Sequence, residues 1–317
     1  MLKHNPTDQP SIIYALALLF VCALVSASAC SPHRETDARG EISGEMREVT
    51  DDAGRRVRVP VRPERVISLA PNLTEIVYAV GAGDRLVGNT TYCDYPTEAK
   101  QVAKVGDTLH PSIERIIALR PQLILVSTAS QLETFTRQLD EQHVAVYVTD
   151  PHDLDGVFRS VATLGDLLNE RERAARVVGD LRARASSVQE AVSAGKPVTV
   201  FYQVSAEPLY TAGRESFITD LISRAGGKSV TADVAGAWPR YSDEAALAAR
   251  PEAIIMPTGD SMGAAANADV AASLKNSPAA LNGRVYRING DYLSRPGPRL
   301  VEGLEQMARS LHPEAFK

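Results

Sequence analysis

Apolar residues recur in steps of three and four from about Asp153 to Ala194. They fall at Leu154, Val157, Phe158, Val161, Leu164 and Leu168, then at Val177, Val178, Leu181, Ala185, Val188 and Val192. That is the period of one helix face, with Asp153 as an N-cap and Gly195, Lys196 and Pro197 as a stop. Unbroken, some 40 residues at about 1.5 Å each give on the order of 60 Å, longer than one small domain needs. Gly165 and the polar run Asn169, Glu170, Arg171 leave open a break into two helices.

Two matching segments flank this stretch. Before it the chain reads Pro111-Ser112-Ile113-Glu114-Arg115-Ile116-Ile117-Ala118-Leu119-Arg120-Pro121, followed by the apolar run Leu123 to Val126. After it comes Tyr241-Ser242-Asp243-Glu244-Ala245-Ala246-Leu247-Ala248-Ala249-Arg250-Pro251, followed by Ala253 to Met256. In each, Ser is a helix N-cap with an acid in the first turn, where the helix dipole favours it. Proline then ends the helix, and the apolar run reads as a buried strand. The shared register predicts two similar lobes joined by the helical stretch.

Read in order, Glu48 to Pro60 is a hairpin around Asp52-Ala53-Gly54. Strands follow at Arg65 to Ala70, Leu86 to Thr90 and Val144 to Val148, with helices after Pro71 and near Gln131 to Gln142. In the second half Val198 to Tyr202 and Arg284 to Ile288 are strands. Ser216 to Ala225, a weak Ala-rich segment after Ser261 and the C-terminal stretch are helices. Alternating strands and helices predict an α/β fold with mostly parallel sheets in both lobes and a ligand cleft between them. The expected boundaries are 47–152 for the first lobe, 153–195 for the connecting helix and 196–317 for the second.

Ligand loops gather at the C-terminal ends of such strands. Those loops hold Tyr92, Tyr95, Tyr210, Trp238, Tyr241 and Tyr292, out of ten Tyr and one Trp in the whole chain. Amphipathic aromatics around a cleft suit a large, flat ligand with polar edges. The alternative for each is an ordinary loop or core tyrosine.

Charge and cysteine content narrow the class. A net charge of −5 without a basic patch argues against nucleic acid as a partner. Residues 1–30 carry Lys3, a short apolar run from Ile12 to Val25 and small residues up to Cys30, the layout of a secretory signal peptide. The alternative is a membrane anchor left uncleaved. Ala27-Ser28-Ala29-Cys30 resembles a bacterial lipobox, with Ala27 where Leu is usual, and this implies an exported protein lipid-anchored to a membrane through Cys30. Cleavage would leave Cys93 as the other thiol, so no internal disulfide is expected. Residues 31–46 are polar and aperiodic and read as a tether.

From Arg47 to the C-terminus the chain resembles the helical-backbone (class III) substrate-binding proteins of bacterial ABC importers for cobalamin, ferric siderophores and haem. The resemblance rests on Asp52-Ala53-Gly54-Arg55, Arg65-Val66-Ile67-Ser68-Leu69-Ala70-Pro71, Thr74-Glu75, Glu114-Arg115-Ile116, Leu119-Arg120-Pro121 and Arg299-Leu300. Tyr92-Cys93-Asp94-Tyr95-Pro96, Ala237-Trp238-Pro239 and Asp291-Tyr292 with Arg295 are most similar to the cobalamin-binding members. The resemblance implies corrinoid contacts at Tyr95, Trp238, Asp291 and Arg295, with Tyr210 near a further one. Thr108 and Ser127 stand where that family has tryptophans. Haem carriers of the group place a Tyr before Pro as at Tyr95-Pro96, where phenolate ligates iron, and His110 is a candidate second ligand.

The implied function is capture of cobalamin or a related corrinoid, with haem or a ferric siderophore as the alternative, and delivery to a permease dimer with its ATPase subunits. Glu114 and Glu244 match the family's transporter-docking glutamates; the alternative is a dipole-complementing role in the first helical turn. No Gly-rich phosphate loop follows a strand and no Ser/His/Asp spacing stands out, so neither an enzyme nor a bound cofactor or metal is expected.

Overall fold

The computed structural model describes residues 45–127, 138–139, 144–259 and 269–317. The candidate signal segment with Cys30, almost all of the tether, most of the helix expected near 131–142 and most of the Ala-rich segment after Ser261 lie outside the described residues.

The expected hairpin is β1 (Met46–Thr50) against β2 (Arg56–Pro60), antiparallel. The first sheet comprises β3 (Val66–Ser68), β4 (Leu86–Asn89), β5 (Leu123–Ser127) and β6 (Ala145–Thr149), in the order β4-β3-β5-β6 and all parallel. Alternate residues of β5 enter opposite cores. Leu123 and Leu125 pack with Leu73, Ile76 and Val77 of α1 (Pro71–Ala79), whereas Ile124 and Val126 pack with Ile116 of α2 (Ile113–Ala118). Both faces are covered, which is why the strands read as unbroken apolar runs. The hairpin closes against β6, where the Asp52 amide donates to the Val148 carbonyl at 3.1 Å.

Two antiparallel-packed helices follow β6, and here the sequence reading is corrected. The stretch 153–195 is α3 (Leu154–Leu167) and α4 (Arg171–Val192), not one continuous rod. The break falls at the polar run already noted: Asn169 takes a left-handed φ of 58°, and the Glu170 amide turns back to the Gly165 carbonyl. Gly165 permits this. A Cβ there would come within 2.2 Å of the Ala174 Cβ, so the two helices cross backbone-close at that point. Arg85 secures the turn from the first lobe, donating to the Leu168 carbonyl and pairing with Glu170 at 2.8 Å.

The second sheet has the order β11-β10-β7-β8, with β9 also on β7. Its strands are β7 (Val198–Ala206), β8 (Leu209–Thr211), β9 (Gly227–Ser229), β10 (Ala253–Thr258) and β11 (Val285–Asn289), parallel except for β8. Helix α5 (Phe217–Arg224) lies between β8 and β9, α6 (Asp243–Ala249) precedes β10, and the short α7 (Pro278–Leu281) precedes β11. The duplication survives in the backbone. Ser112 and Ser242 each accept from the amide three residues on, and each helix ends at a left-handed Arg, Arg120 (φ 45°) or Arg250 (φ 44°), just before its proline.

The helical pair serves both lobes. Leu154, Val157 and Phe158 of α3 enter the second-lobe core, while Val161, Leu164 and Leu167 enter the first. Helix α4 runs the other way, from Ala174 in the first core to Leu181, Ala185, Val188 and Val192 in the second. Gly165→Ala should therefore push α3 and α4 apart and cost about 1–3 kcal/mol, the usual penalty of overpacking. A denaturant midpoint unchanged from wild type would show that the crossing relaxes freely.

Candidate ligand-binding site

The loop after β4 is built around Lys104. Its ammonium donates to Asn89 Oδ1 at 2.7 Å and to the carbonyls of Cys93 and Ala99 at 3.1 Å each. Burial weakens the hold of Lys104 on its proton, an effect opposed by the nearby Cys93 and Asp94. Cys93 is itself buried, its Sγ 3.1 Å from Thr90 Oγ1. With the backbone pinned at these points, Tyr92 and Tyr95 stay half exposed, at 52% and 48%.

Across from this loop lies the segment from α8 (Gly290–Ser294) to α9 (Leu300–Leu311). Glu75, on α1 of the first lobe and only 3% exposed, receives Arg299 Nε at 2.9 Å and Nη2 at 2.5 Å. Arg295, 6% exposed, reaches Glu75 at 3.3 Å, Asp94 at 2.7 Å and Asp291 at 2.9 Å. Glu75, Asp94 and Asp291 against Arg295 and Arg299 leave one excess negative charge, so both buried guanidiniums are fully compensated. Asn72 adds a neutral tie, donating to the Pro296 carbonyl at 3.3 Å.

The charges titrate as that pairing requires. Burial raises the Asp94 pKa, but the hydrogen bond and charge of Arg295 outweigh it and hold the carboxyl below its ordinary 3.8. For Arg295, burial acts to lower the pKa and loses to Asp94, Asp291 and Glu75, so the guanidinium holds its proton more firmly than usual. Arg299 behaves likewise, with Glu75 its main partner. The Arg299 guanidinium also lies 4.0 Å from the centre of the Tyr95 ring and 5.4 Å from that of Tyr292, joining an aromatic of each lobe.

The second lobe holds the other aromatics. Its loop between β9 and α6 is laced to β8 and the segment beyond: Thr211 and Gly213 amides donate to the Pro239 and Ala237 carbonyls at 3.2 and 3.0 Å. Trp238 meets Phe217 edge-on with centroids 5.8 Å apart and remains 43% exposed. Tyr210, 36% exposed, pairs with Arg240 through a backbone bridge. Tyr241 tilts against the buried Phe201 at 5.8 Å. It lines a hollow of about 610 Å³ on the second lobe with Glu207, Asp243 and Glu244.

The structure thus brings four of the expected residues together: Tyr95, Asp291, Tyr292 and Arg295. It adds Glu75, Asp94 and Arg299, which the sequence marks only as parts of stretches that carry the family resemblance. A carboxylate among Leu73, Ile76, Val77 and Val80 was the available signal for Glu75, because a buried acid on an apolar helix needs a partner. His110 is tied to Asp107 at 3.3 Å with a largely exposed side chain. Glu114 and Glu244 are both exposed, on α2 and α6.

A family model described as periplasmic binding protein matches residues 66–292, well over half the chain. The chain belongs to the periplasmic binding protein family. It is similar to YvrC of Bacillus subtilis, an uncharacterised ABC transporter substrate-binding lipoprotein, at 32% identity over 310 residues, covering 95% of this chain and 97% of that one. The vitamin B12-binding protein of Vibrio cholerae is 30% identical over 253 residues, covering 80% of this chain and 90% of that one. The crystal structure of BtuF, the periplasmic vitamin B12 binding protein of Vibrio cholerae, superposes with a TM-score of 0.71 at 29% identity, covering 81% of this chain and all of that one. A periplasmic haem-binding protein from Pseudomonas aeruginosa gives 0.67 at 26%, covering 79% and 93%. A periplasmic binding protein of this two-lobed, parallel-sheet kind binds a solute rather than transforming it, and works with a membrane permease and its ATPase.

Glu75→Ala would leave Arg295 its bonds to Asp94 and Asp291 but Arg299 only the Asp291 carboxylate 4.0 Å away, and we expect a loss of about 3–5 kcal/mol in unfolding free energy. A loss below about 1 kcal/mol would show that water replaces the carboxylate without cost. Asp94 gives a pH test. A carboxyl whose folded pKa is depressed stabilises the fold above its unfolded value and loses that contribution as pH falls through the folded one. Melting temperature should therefore drop less steeply below pH 3.8 in Asp94→Asn than in the wild type. Parallel curves would remove Asp94 from the cluster's energetics.

Proposed function

We propose that this chain is a lipid-anchored capture protein that binds cobalamin or a related corrinoid outside the cytoplasm and passes it to an ABC importer. The observation that carries the reading is the set of half-exposed aromatics on strand-end loops of both lobes, Tyr92 and Tyr95 in the first, Tyr210 and Trp238 in the second. Such rings offer stacking area to a large planar ligand while their polar ends meet its amide edges. The cluster of Glu75, Asp94, Asp291, Arg295 and Arg299 is internally neutralised to within one charge, which suits a ligand recognised through hydrogen bonds more than through net charge. Similarity to vitamin B12-binding proteins over about four-fifths of the chain supports the same ligand class.

Haem or a ferric siderophore is the second reading. It is favoured by the half-exposed Tyr95 phenol ahead of Pro96 and by the solved haem-binding relative. Anchoring through Cys30 is part of the proposal; no helix among the described residues is long and apolar enough to cross a membrane. So is docking through Glu114 and Glu244, matched acids on two similar lobes that suit a permease with two equivalent subunits.

Wild-type chain titrated with cobalamin should bind one equivalent with a change in its visible spectrum. Trp238→Ala and Tyr95→Ala should each weaken binding by roughly 5- to 150-fold, the worth of one stacking surface at about 1–3 kcal/mol. Unchanged cobalamin affinity in Trp238→Ala would sink the assignment. Stoichiometric haem binding with no cobalamin binding would move it to the second reading.

A further inference from the structure

Helices α2 and α6 turn the same face to solvent. Glu114, Ile117 and Ala118 are exposed on α2, and Glu244, Leu247 and Ala248 are exposed at the matching positions of α6. The inner positions also match, since Ile116 and Ala246 are both fully buried. Ile117 is 38% and Leu247 50% exposed, each one turn along from its glutamate. A single exposed aliphatic residue needs no explanation. A large aliphatic residue beside the same acid at the same register of two lobes, Ile117 in one and Leu247 in the other, does need one, because core packing is already satisfied by the buried neighbour. Neither Glu114 nor Glu244 has an ion-pair partner among the described residues.

We propose that Ile117 and Leu247, flanked by Ala118 and Ala248, are the apolar halves of two equivalent docking patches that seat on the two permease subunits of the importer. The inference rests on the docking reading of Glu114 and Glu244 and extends it. Two copies of one patch suit an occupant with two-fold symmetry, and an unpaired glutamate in each calls for a cation beside an apolar socket on each subunit. In the second lobe Glu207, Asp243 and Glu244 line one hollow with Arg240, so three carboxylates face a single guanidinium and the negative charge prevails there. The two halves of each patch do different work. The charges speed and orient encounter and fade once salt shortens the Debye length, to about 8 Å at physiological strength. The aliphatic contact is insensitive to screening and sets how long the complex lasts.

The test uses the full chain and its importer's permease and ATPase subunits reconstituted in lipid nanodiscs, with affinity read at low and high salt. Ile117→Ser with Leu247→Ser should weaken binding about tenfold or more at both salt levels. Ligand affinity and melting temperature should stay as in the wild type, and Ile117→Val with Leu247→Met should restore docking. Glu114→Gln with Glu244→Gln should weaken binding chiefly at low salt. If the serine pair docks like the wild type while the glutamine pair does not, the apolar patch is overturned and the docking reading stands. If neither pair loses affinity, the docking reading itself fails and takes the patch with it.

Discussion

Two lobes can keep a ligand cleft between them only if something fixes their spacing, and here shared hydrophobic burial does so. Helices α3 and α4 each bury apolar side chains in both lobe cores, in opposite order along the chain. Separating the lobes would draw Leu154, Val157 and Phe158 from one core or Val161, Leu164 and Leu167 from the other. Each such side chain is worth about 1.5–3 kcal/mol when fully buried. Ion pairs brace the same helices, Arg224 holding Asp155 of α3 at 2.8 Å and Arg184 of α4 holding Glu302 and Glu305 of α9 at 3.2 and 2.9 Å.

The cluster around Glu75 adds a polar tie between first-lobe carboxylates and the segment between α8 and α9. Its partners reach it from residues more than 200 positions away in sequence, a pairing that the folded spacing of the lobes alone creates. Buried pairs of this kind contribute little net stability, because desolvation consumes most of the Coulomb gain. They do specify geometry, since any misalignment leaves a charge without a partner. The hydrophobic pair of helices thus supplies the energy and the ionic cluster fixes the register in which Tyr95 and Tyr292 meet Arg299.

Much of this was readable from residue order. Continuous apolar runs gave the strands because both sheet faces are covered, and the Ser-capped, Arg-Pro-ended repeat gave the two lobes. Periodicity gave the helical stretch but not its fold-back, since apolar steps of three and four look alike on one helix or two. Asn169 in a left-handed conformation and the close Gly165–Ala174 crossing decide that matter, and both are tertiary. The short strands β8 and β9, at three residues each, are too brief to carry a period. Within the site, aromatic content marked the loops, yet Tyr241 gained a packing contact on Phe201 that its loop position did not suggest. Arg299 stood in a stretch singled out only by resemblance, because a charge partner 224 residues distant leaves no local pattern.

Helices common to both cores hold the cleft at a fixed width. Small-angle X-ray scattering puts this to the test, on the chain alone and saturated with whichever of cobalamin or haem its absorbance shows to be bound. Shared burial predicts that the two profiles nearly superimpose, because little closing can occur without pulling apolar side chains from a core. A marked compaction on binding would contradict it and would require the lobes to turn on a flexible hinge.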